Sequence, residues 1–225
     1  MKKNRGISFR LFFAMENNNQ HYYSEFPDVK VKIHTISESL RRHLYIFKTI
    51  TGVFSFRKID LGTKVLIEHM VIPKGPSVLL DLGCGYGPIG IVLGYESPDS
   101  LVYLIDINKR AIWCAKENIK INLNTEKKSV LSLSGNYFKS TKIKNIKFDG
   151  IYMNPPMRQG RKDFLKLIDI IPSYLKSKGS FQFVIKKKMG APYILNFIRK
   201  NYPNNDIEII CKRSGYWVFR FFQGN

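Results

Sequence analysis

Residues 77–96 read SVLLDLGCGYGPIGIVLGYE, and this stretch decides the fold. Val78 to Leu82 is a short, mainly apolar run of strand length. Gly83, Gly85 and Gly87 follow, and Pro88 opens a second apolar run. Proline suits the first turn of a helix, because the N–H that it lacks has no partner there. The stretch therefore predicts a buried strand, a tight glycine loop and a helix. Gly85, Gly87 and Gly90 fit the G-x-G-x-x-G spacing that brings backbone close to a nucleotide, and Asp106 follows at the distance of a ribose-binding acid. A dehydrogenase uses the same spacing.

The pattern continues outward. LVYLIDIN (101–108) predicts a strand ending at Asp106. KRAIWCAKENIKIN (109–122) is amphipathic, with Ala111, Cys114, Ala115 and Ile119 on one face. SVLSLSG (129–135) and FDGIYMN (148–154) are two further strands. DFLKLIDIIPSYLKSKG (163–179) predicts a helix kinked at Pro172 and stopped at Gly179. SFQFVIK (180–186) is a strand and GAPYILNFIRKNY (190–202) a helix. DIEIICK (206–212) and GYWVFRFF (215–222) are strands close enough in sequence to pair antiparallel. Such alternation gives an α/β, Rossmann-like fold: a mainly parallel sheet with helices on both faces. Ligands of these sheets bind beyond the carboxyl ends of the strands, where Asp81, Asp106, Asn136 and Asn154 are all expected.

Residues 31–70 predict short strands and then a helix beginning near Thr63. That is too little chain for a strong core of its own. We expect a β/α addition (21–75) packed on a catalytic core (76–225), as a lid or a substrate-side element of one domain. Residues 1–20 are expected to be an extension with little structure, within which Met15 is an alternative start.

The chain of 225 residues holds 37 Lys+Arg against 17 Asp+Glu, a formal charge of +20. A field of that sign favours a polyanion, nucleic acid first. The last third, residues 151–225, is the most basic, with 14 basic and 4 acidic residues. Cys84, Cys114 and Cys211 are odd in number and far apart, which implies neither a disulfide framework nor a metal site. The four histidines have no ligand spacing. No apolar run is long enough to span a membrane, and the basic N-terminus lacks a signal-peptide cleavage pattern. A reducing, cytoplasmic setting is expected.

Two features favour S-adenosylmethionine over a dinucleotide. Asp81 stands ahead of the glycines, where a carboxylate repels pyrophosphate but suits an ammonium or sulfonium. Asp106, with Ile107 beside it, then holds the ribose hydroxyls. The second motif is IYMNPPMRQG (151–160). Two prolines fix the backbone after Asn154. The Asn154 side-chain oxygen and the Pro155 carbonyl form a preset pair of acceptors for the two hydrogens of an exocyclic amino group. Pro156 stiffens the turn. Met157 occupies the position expected to pack on the target base. A base reaches such a site only when unstacked. Arg158, Arg161, Lys162, Lys186, Lys187 and Lys188 are candidate phosphate contacts.

Taken together, Asp81–Gly90, Asp106, SGNYF (134–138), NPPMRQG (154–160), the upstream GVFS (52–55) and DLGT (60–63), and HYYSEFPDVK (21–30) carry a resemblance. They resemble class I S-adenosylmethionine-dependent methyltransferases. The nearer likeness is to the small-domain family that includes ribosomal small-subunit RNA guanine-N2 methyltransferases and single-domain archaeal relatives. The resemblance implies a seven-stranded sheet with a reversed last strand. It implies Gly83, Gly85 and Gly87 near the methionine part of the cofactor, Asp106 on its ribose, Asn136 near its adenine amino group and Asn154 through Met157 at the target, with Asn154 also touching the cofactor. It departs at Met157, where relatives often carry Phe, Tyr or Ile. The expected reaction is methylation of a base amino group in RNA, with guanine N2 in ribosomal or transfer RNA first. The alternatives are a protein glutamine amide, DNA adenine N6, or RNA binding without turnover.

Overall fold

The computed structural model describes residues 30–123, 129–137, 143–157 and 160–222. The expected extension, all but the last residue of HYYSEFPDVK, and Arg158 lie outside the described residues.

Strands β1 (Ile33–Leu40) and β2 (His43–Ile50) pair as an antiparallel hairpin, and helix α1 (Leu61–His69) follows. The core elements are β3 (Val78–Leu82), α2 (Pro88–Glu96), β4 (Leu101–Asp106), α3 (Lys109–Asn122), β5 (Val130–Ser134) and β6 (Phe148–Met153). Then come α4 (Lys162–Ile170), β7 (Leu175–Lys186), α5 (Ala191–Asn201), β8 (Ile207–Arg213) and β9 (Tyr216–Phe222). Seven strands form one sheet in the order β5-β4-β3-β6-β7-β9-β8, with β9 antiparallel to both neighbours. The chain runs outward from β3 to β5 and then returns to β6 on the other side of β3. That switch opens a crevice at the carboxyl ends of β3 and β6.

Two apolar clusters cover the sheet. One joins α1, α2, α3 and the hairpin; the other joins α4 and α5. Helix α2 is buried on almost every side, because the sheet, α1 and α3 surround it. Its closest approach is at Gly90, where a Cβ would lie 2.4 Å from Leu104 Cγ. Gly90→Ala is therefore expected to cost about 1–3 kcal/mol of stability by overpacking, read by urea unfolding. An unchanged midpoint would contradict this packing.

Two expectations are corrected. Helix α4 stops at Ile170; Pro172 lies in a 3-10 turn, and the chain enters β7 at Leu175. Gly179 ends no helix. It lies within β7, beside a bulge where the register to β6 shifts between Phe148 and Gly150. The N-terminal addition meets the sheet through α1, whereas the hairpin rests mainly on α3. There Asn118 and Asn122, one turn apart, hydrogen-bond the backbone N–H and C=O of Lys48 and Ile46. Helical side chains thus satisfy the β2 edge. Among the described residues no helix is long and apolar enough to cross a membrane.

Candidate active site

The crevice is a cleft of about 710 Å³ at the carboxyl ends of β3, β4, β5 and β6. Its wall includes Gly83, Gly85, Asp106, Ile107, Asn136, Asn154, Pro155 and Pro156. The strand ends are interlocked: the N–H groups of Gly83 and Cys84 donate to the Ile105 carbonyl, and Gly135 N–H donates to that of Asp106.

Asp106 ties the cofactor-side loops together. One carboxylate oxygen accepts from Gly85 N–H and the other from Asn108 N–H, each at 2.8 Å. Burial raises the Asp106 pKa, while the N–H groups of Asn108, Gly85 and Ile107 pull it down. Each oxygen keeps a second lone pair for a hydroxyl. Asn108 caps α3 through its side-chain oxygen and donates its amide to the Gly52 carbonyl at 2.8 Å. The addition is thus bolted to the cleft.

The target-side turn is built on Asn154. Its Nδ2 donates to Asp60 Oδ2 at 3.0 Å and to Thr63 Oγ1 at 2.9 Å. A carboxylate only accepts, so Asp60 fixes which end of the amide faces it, and Oδ1 is left for another donor. The same Asp60 oxygen caps α1 by accepting from Gly62 and Thr63 N–H. The Pro155 carbonyl accepts from Met157 N–H at 2.9 Å, which sets its direction and leaves one lone pair. Asp60 and Thr63 both line the cleft.

Three expected site residues lie off this wall. Gly87 caps α2, and a Cβ there would press on Leu104 and Ile91. Met157 turns into the apolar cluster under α4 and is 9% exposed, so it offers no face to a base. Asp81 is fully buried beneath the loop: Oδ2 accepts from Gly90 N–H at 2.8 Å, and Oδ1 has no partner among the described residues. Burial pushes the Asp81 carboxyl up to about 8, against the Gly90 hydrogen bond and with Asp106 adding to the rise. Folded protein therefore holds a proton on Asp81 that the unfolded chain releases above 3.8, and this group's contribution to stability falls as pH climbs through that window to about 8. The melting temperature of Asp81→Asn, measured against the parent, should rise progressively between pH 4 and 8. Parallel curves would contradict it.

The described candidates for phosphate contact sit outside the cleft. Arg161, Lys162, Lys186, Lys187 and Lys188 are exposed. Arg161 lies over the Tyr193 ring at 4.4 Å and beside Gly190, next to the turn that carries Lys187 and Lys188. Lys187 N–H donates to Gly215, which brings the β8–β9 turn to the same lip. Inside, the cleft is lined by the carboxylates Asp60, Asp106 and Asp163, and by Lys166, which pairs with Asp163 at 3.5 Å. An acidic interior within a basic exterior suits a cationic small ligand and a polyanionic partner. Among the described residues no group of three or more His, Cys, Asp or Glu is placed to hold a metal.

Residues 44–220 match the model of the methyltransferase small domain. The chain belongs to this family. As a small-domain methyltransferase it is 32% identical over 206 residues to the uncharacterized protein YbxB of Bacillus subtilis, covering 90% of this chain and 98% of that one. It is 30% identical over 204 residues to ribosomal RNA small subunit methyltransferase C of Buchnera aphidicola, covering 86% of this chain and 55% of the relative. The chain spans about half the length of the methyltransferase C relatives it matches. Its fold resembles that of the 16S rRNA N2 methyltransferase RsmC of T. thermophilus, solved with AdoMet and guanosine. The TM-score is 0.69 at 18% identity, covering 88% of this chain and 52% of that one.

The methyl donor of this small-domain methyltransferase is S-adenosylmethionine, and the cleft fits it. A Cβ on Gly85, whose φ is +56°, would meet no protein atom within 4 Å, so the loop leaves open space beside the wall. Asp106 offers acceptors for ribose hydroxyls, and the carboxylate lining suits the ammonium and sulfonium.

Asp60 and Thr63 were not identified as site residues in the sequence, although DLGT carries an N-cap signature. Asp60→Ala removes the oxygen that both caps α1 and orients Asn154. We expect kcat to fall by about 10- to 100-fold, with the cofactor Kd near that of the parent and stability lower by about 0.5–2 kcal/mol for the lost cap. A loss of stability with unchanged kcat would make Asp60 a cap alone.

Proposed function

We propose that the chain methylates an exocyclic amino group of a base in RNA, with guanine N2 in ribosomal or transfer RNA as the favoured target. The observation that carries the reading is the hydrogen-bonded clamp on Asn154. With Nδ2 held by Asp60 and Thr63, Oδ1 is left to accept, and the carbonyl of the next residue, Pro155, already has its direction set. Bound S-adenosylmethionine supplies an electrophilic methyl group. The Asn154 oxygen and the Pro155 carbonyl accept the two N–H bonds of the target amine. That turns the nitrogen lone pair away from the ring and stabilises the positive charge that grows on nitrogen. The methylated nitrogen is acidic enough to release its proton without a strong protein base.

The RNA reading is supported by the net charge of +20 and by the basic lip at Arg161 and Lys186–Lys188. It also draws on the ribosomal RNA methyltransferases among the relatives. On this reading the enzyme works in the cytoplasm. Incubation with methyl-labelled cofactor and separate ribosomal RNA, transfer RNA, DNA and protein fractions tests it: label should enter RNA. Label confined to protein or DNA would overturn it, and so would binding of RNA without transfer. The combined substitution Lys187→Ala and Lys188→Ala should weaken RNA binding and lower its salt dependence by about one to two released counterions. An unchanged slope would place the RNA elsewhere.

A further inference from the structure

We propose that Phe54 is the ring on which the target base stacks, so that the segment between β2 and α1 is the specificity wall of the cleft. This rests on the base-methylation reading above. Phe54, Tyr86, Tyr137, Phe164 and Tyr174 are the cleft-lining aromatics among the described residues. All but one are committed to the protein. Tyr86 is buried with its ring 5.8 Å from Phe47, and Phe164 lies 5.2 Å from Phe183. Tyr137 and Tyr174 pack against the cluster under α4 and α5. Phe54 is half-buried and belongs to neither apolar cluster.

Its neighbours are fixed, while among the described residues its ring joins neither apolar cluster. Two residues before it, the Gly52 carbonyl accepts from Asn108, the cap next to the ribose acid. Six residues after it, Asp60 holds Asn154. Phe54 thus lies on the stretch of chain that runs from the cofactor end of the cleft to the target turn. The segment is stiff: Ser55 has φ +54°, its hydroxyl donates to the Lys58 carbonyl, and Lys58 N–H returns to the Ser55 carbonyl. A non-glycine residue holds that conformation only when its surroundings impose it. A flipped base loses its stacking partners and needs a rigid aromatic face. Met157 cannot supply it, because its side chain is buried in the apolar cluster. Phe54 can, and exposed Arg57 and Lys58 beside it are placed to meet the adjoining phosphates.

The test compares Phe54→Ala, Phe54→Leu and Phe54→Tyr with the parent, on the RNA fraction that the parent labels. Phe54→Ala should lower kcat/KM for RNA by about 10- to 100-fold, chiefly through KM. Phe54→Tyr should restore it and Phe54→Leu should fall between. The Kd for S-adenosylmethionine and the melting temperature should stay at parent values. As a readout independent of turnover, Phe54→Trp should show saturable quenching of fluorescence by guanosine in the presence of S-adenosylhomocysteine. Weaker cofactor binding in Phe54→Ala with unchanged KM for RNA would overturn the inference, as would quenching by S-adenosylhomocysteine alone with no further response to guanosine. A parent that labels protein and no RNA overturns the base-methylation reading and this inference with it. RNA labelling indifferent to Phe54→Ala overturns the inference alone.

Discussion

Asn154→Ala should lower methyl transfer by about 10²- to 10³-fold while cofactor binding and fold survive, read by single-turnover transfer beside a direct binding titration. An aromatic or amide nitrogen is a poor nucleophile because its lone pair is shared with a π system. On the proposed reading, the turn answers that by presenting acceptors that need not move. Removing the amide leaves the Pro155 carbonyl as a single acceptor, and nothing then fixes the rotation of the target amine. The fold should tolerate the change, since Asp60 keeps its two bonds to the α1 backbone and Pro155 keeps its bond from Met157. Asn154→Asp is a sharper variant. It preserves shape but sets a second carboxylate against Asp60, whose oxygen is 3.0 Å from the group replaced. The like charges repel, the clamp opens, and activity should fall as far as with alanine. Transfer within twofold of the parent in either variant would remove Asn154 from the chemistry.

Asp106→Ala should weaken S-adenosylmethionine binding by about 10- to 10³-fold, measured by calorimetry. Two losses combine. The acceptors for the ribose hydroxyls disappear. The Gly85 and Asn108 N–H groups also lose the carboxylate that joins the β3 and β4 loops. Asp106→Asn should recover part of the affinity, since its oxygen can replace one of the two anchors. A binding constant equal to the parent would mean that the carboxylate serves the loops and not the ligand.

How much of this was legible in the sequence depended on range. The strand, glycine loop and helix at 77–96 were readable because their signals are local: an apolar run, alternate glycines, a proline at a helix start. The NPP turn was readable for the same reason. Asp60 and Asn154 stand 94 positions apart, and no periodicity links a capping residue of α1 to a turn after β6. The side on which Met157 falls depends on how the turn leaves the sheet, which composition does not specify. Asp81 was misplaced because a strand alternates faces: its carboxylate points under the loop, toward Gly90, and not into the cleft. Gly179 looked like a helix stop because Pro172 seven positions earlier reads equally well as a kink or an end. The lysines at 186–188 were legible as a cluster, while their approach to Arg161 came from the turn at Gly190.

The most direct measurement is the position of the transferred methyl group. RNA incubated with the protein and trideuteromethyl-labelled S-adenosylmethionine would be digested to nucleosides and resolved by mass spectrometry against standards. The label should sit on an exocyclic amino nitrogen, as N2-methylguanosine, and should vanish with Asn154→Ala. A label on a ring carbon or a ribose oxygen, where no pair of N–H bonds exists to be held, would contradict the account.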